Sequence, residues 1–259
     1  MSILALIVLF TAFSGFLSAL AAGLFLALGE KPRAAVLPHL VSFATGALLG
    51  AAFLGLVPHA LAGAGEASTH KIGLALLLGI LLFFLLEKFV LWRHCHDDPC
   101  EIHSPSHGAR DRASANLILV GDTFHNLLDG VLVAAAFMSN PQLGIVTALA
   151  VFAHEIPQEM GDLAILLHGG FSRARAMTLN LLSSLTSIVG GVLAYYALGT
   201  AMQALPYALA LAAASFIYVA VADLIPGLHR RVDFRASAEQ VAFIAAGVAL
   251  VYFTHSGMD

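Results

Sequence analysis

The chain has 259 residues, 59% of them hydrophobic and only 11% charged, with a formal net charge of −4. Its mean hydropathy of +0.89 is far outside the habit of soluble globular domains, so it reads as an integral, multi-pass membrane protein. No acidic or basic block suggests a nucleic-acid or polyanionic partner. Apolar runs of about 20 residues exclude a strand-built barrel.

Such runs fall near residues 3–28, 36–62, 72–92, 115–138, 142–168, 175–199, 205–226 and 237–255. Each is long enough to cross a bilayer as a helix, so an all-α protein of eight transmembrane helices is expected, in a single domain over residues 1–259. The first run starts at Met1-Ser2-Ile3 with no basic leader and no small-residue cleavage site, and reads as a retained helix. Its Ser14, Gly15, Ser18 and Gly23 would let another helix approach closely, as would Ser183, Ser184, Ser187, Gly190 and Gly191 in the sixth run.

The second run ends in Phe53-Leu54-Gly55-Leu56-Val57-Pro58-His59 and the seventh in Val221-Ala222-Asp223-Leu224-Ile225-Pro226. Eleven of the twelve basic residues lie on odd-numbered connections, leaving Lys71 alone on an even one. By the positive-inside rule the odd connections face the cytoplasm and both termini lie outside. The two Pro-ended segments then point to opposite sides, which is the sense of an inverted repeat and a transporter signature.

The third connection is a polar tract with His94, Cys95, His96, Cys100, His103 and His107, expected to be a flexible cytoplasmic loop over 94–113. Cys95 and Cys100 are the only cysteines, and a reducing compartment argues against a disulfide between them. Short histidine-rich tracts bind metal, but the spacing matches no closed zinc module. The tract is either a solvated linker or a cytoplasmic metal-capture segment.

The fourth run carries His125-Asn126-Leu127-Leu128-Asp129-Gly130. On a helix His125 and Asp129 share a face, with Asp122 one turn earlier and Asn126 at the flank. The fifth carries His154-Glu155-Ile156-Pro157-Gln158-Glu159, where His154 and Gln158 stack, Glu155 and Glu159 form a second pair, and Asp162 continues the series. Pro157 predicts a kink that frees a backbone carbonyl. An ionisable group in hydrocarbon costs roughly 2.5–3.5 kcal/mol on insertion scales, so several on adjacent spans imply a shared compensating partner. A divalent cation is that partner. Imidazole, carboxylate and amide ligands without thiolate suit exchangeable zinc, iron or manganese. His125, Asn126, Asp129, His154, Glu155 and Gln158 are the candidate ligands. Glu159, Asp162 and Asp122 serve either as ligands or as carboxylates that orient them.

At these residues the chain resembles the ZIP (Zrt/Irt-like protein) family of divalent metal transporters. The fourth-helix string His-Asn-x-x-Asp-Gly and the fifth-helix string His-Glu-x-Pro-x-Glu both match one branch of it, in order. The resemblance implies eight helices in a 3+2+3 arrangement, a homodimer, and Zn2+, with Fe2+ or Mn2+ as further substrates, moving into the cytoplasm across the plasma membrane. It implies the same six ligands, no cofactor and no enzymatic step. Gln158 replaces the branch's second histidine, exchanging nitrogen for a weaker amide oxygen. Ala51 and Gly55 stand where the branch often has Asp and His, leaving His59 as a remaining relay ligand. The sixth run offers Asn180, Ser183 and Ser184 but no acid.

Two other readings compete. A membrane metal sensor or receptor would use the polar tract. An intramembrane zinc hydrolase would need His-Glu-x-x-His, but here the fifth residue is Gln158 and Pro157 sits inside the turn.

Overall fold

The computed structural model describes residues 1–65, 68–95, 107–229 and 233–256, and every regular element among them is helical. The elements are α1 (Ile3–Ala27), α2 (Glu30–Gly50), α3 (Val57–Ala64), α4 (Thr69–Cys95), α5 (His107–Ser139), α6 (Pro141–His168), α7 (Arg173–Ser184), α8 (Thr186–Thr200), α9 (Leu205–Tyr218), α10 (Ile225–Leu228) and α11 (Phe234–Ser256). Among the described residues, seven stretches are long and apolar enough to cross a membrane: Ile3–Ala27, Lys31–Ala64, Thr69–Lys88, Ile118–Ser139, Arg173–Thr200, Met202–Leu228 and Phe234–Thr254. The remaining expected span, α6, has 28 residues but carries Glu155, Glu159 and Asp162 in its second half. That is charge a lipid-facing helix would not carry, and α6 instead runs through the interior.

The α5 helix already includes His107, inside the tract expected to be a loop. Helix-forming Ala and Arg continue it past the apolar limit that periodicity can detect. At its other end Asn140 alone separates α5 from α6. The Asn140 side chain accepts from the N–H groups of Gln142 at 2.7 Å and Leu143 at 3.4 Å, and Pro141 takes the first helical position. A one-residue link forces the two helices antiparallel and adjacent, which brings their polar stripes together. The α6 helix continues through Pro157 to His168.

Three long runs expected as single helices are interrupted. In two of them the turn widens to π geometry, over Ala51–Leu56 and Val219–Leu224, each beginning seven positions before a proline, Pro58 and Pro226. A proline cannot donate to the carbonyl four residues back and its ring crowds that carbonyl, here of Leu54 and of Ala222, so the wide turn absorbs the conflict. The third break falls at Leu185, between α7 and α8. Around it Thr186 and Ser187 turn their hydroxyls onto the backbone carbonyls of Ser183 and Ser184, which competes with the helical ladder.

Packing is tightest where glycine removes the side chain. The α5 helix crosses α8 so closely that a Cβ on Gly130 would overlap the carbonyl oxygen of Ser187, and one on Gly190 that of Leu127. The α2 and α11 helices cross in the same way at Gly46 and Gly247. The α1 helix lies against α6 and α8, its Gly15 facing the backbone of Ser184. Around α5 and α6 the core is built of alanine and a few large side chains, with Ala134, Ala135, Phe137, Leu143, Val146 and Ala150 all fully buried.

Candidate metal centre

Antiparallel pairing puts His125 and Asp129 of α5 opposite His154 and Glu155 of α6. One ligand atom from each of these four residues lies within 4.8 Å of the others. His125 Nε2 is 3.2 Å from His154 Nε2, 3.5 Å from Glu155 Oε1 and 3.8 Å from Asp129 Oδ2. His154 Nε2 is 3.2 Å from Asp129 Oδ2 and 3.8 Å from Glu155 Oε1. Four ligands about 2.1 Å from an ion at a tetrahedral site stand about 3.4 Å from one another, so the observed spacings fit a cation between them.

The side chains are oriented before any ion arrives. The Nδ1 of His154 is 3.1 Å from the carbonyl of Ala150. A proton on that nitrogen leaves the Nε2 lone pair facing the cluster, the form in which a histidine ligates. His154, Asp129 and Glu155 are almost wholly buried, whereas His125 keeps a fifth of its side chain exposed at the rim.

A second layer of polar side chains lies one turn away and behaves differently. Asp122 accepts from the Asn126 amide at 2.8 Å on one oxygen and from the Ser183 hydroxyl at 2.5 Å on the other. Glu159 accepts from the Ser184 hydroxyl at 2.5 Å and from the Asn180 amide. Asp162, half-buried, lies beside Asp122. Both oxygens of Asp122 and of Glu159 therefore already have donors. In the inner cluster Asp129 Oδ2 and both oxygens of Glu155 are buried without any. A buried acceptor left unpaired costs about 1–3 kcal/mol, more if it is charged. The inner carboxylates are the ones a cation would satisfy.

The geometry thus sorts the sequence candidates. His125, Asp129, His154 and Glu155 meet at one point. Asn126 is buried beside them, its amide group held by Asp122 and its residue lining a small cavity with Asp129 and Glu155. Gln158 is half-buried one turn along α6 from His154. His59 is not in the cluster, and its Nδ1 is 2.9 Å from the carbonyl of Gly55. The side chains of His94, Cys95, His96, Cys100, His103 and His107 lie outside the described residues. The partners of the outer acids, Asn180, Ser183 and Ser184, are legible in the sequence only as polar residues at i, i+3 and i+4 in the sixth run. Nothing in their spacing names Asp122 and Glu159 as what they hold.

Comparison with known proteins gives a match to the family described as ZIP zinc transporter over residues 92–255. Among similar proteins are zinc transporter ZIP4 of Rattus norvegicus, 34% identical over 77% of this chain and 39% of its own length, and zinc transporter ZIP13 of Pongo abelii, 33% identical over 83% and 66%. Zinc transporter YKE4 of Saccharomyces cerevisiae is 32% identical over 86% of this chain and 72% of its own. The chain spans about two fifths of the length of the ZIP4 proteins it matches.

Proposed function

Because the chain belongs to the ZIP zinc transporter family, we propose that it carries divalent metal ions across a membrane into the cytoplasm, zinc first, with iron(II) and manganese as further substrates. The observation that carries this reading is the inner cluster. Two buried carboxylates with unpartnered oxygens and two histidines converge at one point, on helices packed inside a multi-pass membrane protein. Without a cation such a group is costly in the membrane interior, and with one it is compensated.

In this reading α6 is the eighth span, the helices form a 3+2+3 arrangement with an inverted repeat, and both termini lie outside. The paired π turns before Pro58 and Pro226 support the repeat, because two segments of related sequence relieve the same conflict in the same way. The protein acts as a homodimer in the plasma membrane. His125, Asn126, Asp129, His154, Glu155 and Gln158 exchange the ion's water for side-chain ligands. Asp122, Glu159 and Asp162 orient them. Alternating access then exposes the ion on the cytoplasmic side. Asp129 and Glu155, ionised, balance the 2+ charge, and no catalytic group or cofactor is called for. His94, Cys95, His96, Cys100, His103 and His107 collect ions on the cytoplasmic face.

The test is metal entry into proteoliposomes loaded with an indicator dye, comparing zinc, manganese and iron(II) for the natural chain and His125→Ala. Entry that disappears in the variant is the expected result. Metal bound without entry by the natural chain would overturn transport in favour of a sensor.

A further inference from the structure

Beside the inner cluster lies a cavity of about 10 Å³, room for roughly one water molecule. Asn126, Asp129 and Glu155 line one part of it, while Thr11, Ser14 and Ser187 bring hydroxyls from α1 and α8. Neither His125 nor His154 lines it, so it opens on the flank of the cluster that has no nitrogen ligand.

The three hydroxyls differ in what they do. Thr11 donates to the carbonyl of Ile7 at 2.8 Å, and Ser187 to that of Ser184 at 2.8 Å, the usual back-bonding of helical hydroxyls. Ser14 has no partner although it is only 5% exposed. Its neighbour Gly15 brings α1 against Ser184, where even a Cβ would meet the carbonyl oxygen at 2.8 Å. Ser14 is thereby held at the cavity wall. The carboxylate of Glu155 on the same cavity likewise has no hydrogen-bond partner. Unpaired buried polar groups are rare, and each calls for an explanation such as an ion or a water it meets.

We propose that Ser14 is a further ligand residue of the transport site: its hydroxyl supplies an oxygen to the ion from α1, on the flank the histidines leave open. This rests on the reading of the His125–Glu155 cluster as that site. A neutral oxygen ligand from a third helix adds to the coordination number without adding charge. That suits hard, higher-coordinate ions such as manganese and iron(II) alongside zinc. It also makes α1 part of the ion path and not merely a packing helix.

The probe is cobalt(II), bound to the purified full chain in a Cys95→Ser, Cys100→Ser background so that any thiolate signal has one source. With Ser14→Cys added, the expected result is a sulfur-to-cobalt charge-transfer band that the parent lacks. Stoichiometric cobalt binding with the parent's unchanged spectrum would overturn the proposal. If Ser14→Cys binds no cobalt, Ser14→Ala decides. Its affinity should fall about tenfold, as for the loss of one outer partner of a metal, at unchanged melting temperature. An unchanged affinity overturns the role of Ser14. A parent that binds no cobalt at all sinks the transport-site reading itself, a separate result.

Discussion

His125 on α5 and His154 on α6 meet through their Nε2 atoms at 3.2 Å, with their rings at 90° to each other. Since Nδ1 of His154 faces the carbonyl of Ala150, at most one proton fits between the two Nε2 atoms. In the proposed reading a divalent ion would take the place of that proton.

Proton and metal should therefore compete. Both histidines ligate only when neutral and both carboxylates only when ionised, so binding releases protons and weakens as the medium acidifies. Zinc affinity, measured by competition with a chelating dye, should fall as the medium is acidified. A flat profile would count against the histidines as ligands.

The contrast between unpartnered and saturated carboxylates separates Glu155 from Glu159. Glu155→Gln removes a ligand charge and should weaken zinc binding by more than about 100-fold, beyond what loss of an outer partner costs. Glu159→Gln sets an amide against the Asn180 amide it now accepts from. That variant should lose about 1–3 kcal/mol of stability, read as a lower melting temperature, and no more than the roughly 10- to 100-fold in zinc affinity that an orienting partner carries. Isothermal titration and thermal melts on the same samples distinguish the two.

Gln158 stands where the resemblance drawn from the sequence would place a second histidine. Restoring a nitrogen ligand with Gln158→His should tighten zinc binding and raise the preference for zinc over manganese, because imidazole suits zinc and amide oxygen suits harder ions. Equal zinc affinity in the two proteins would remove Gln158 from the ligand set.

The α5–α8 crossing has no room for a methyl group. Gly190→Ala drives a Cβ into the carbonyl of Leu127, and Gly130→Ala one into that of Ser187. Each should cost about 1–3 kcal/mol through overpacking and lower metal entry as well. Gly121→Ala, with open space around its added Cβ, should leave both melting temperature and entry unchanged. Entry that survives Gly190→Ala intact would show that this crossing can shift without consequence.

The four clustered side chains are legible in the sequence because helical spacing is a local property. His125 with Asp129, and His154 beside Glu155, share a helix, and a one-residue link at Asn140 leaves the two helices little choice but to pair. The break at Leu185 is not legible there, since the sixth run reads as one uninterrupted membrane-length helix, and hydroxyls that bond back to their own helix look like any other serine. Nor is the helical state of α5 as far back as His107, because a polar helix segment lacks the apolar period by which helices are recognised.

Composition and periodicity alone determined that this chain crosses a membrane many times, that two adjacent spans carry polar stripes, and which residues on each stripe face the same way. Only the tertiary structure decided which acids have hydrogen-bond donors. Asp122 and Glu159 draw their donors from α5 and α7, while Asp129 and Glu155 meet other acceptors and the histidines. The same is true of Ser14, one small residue among several on α1 until it is found lining the cavity beside Asp129 and Glu155 with its hydroxyl unpartnered. Spacing along one helix is set by 3.6 residues per turn, but a side chain's partner on another helix depends on how the helices cross. That crossing is fixed by where glycines permit close approach, which no single segment encodes.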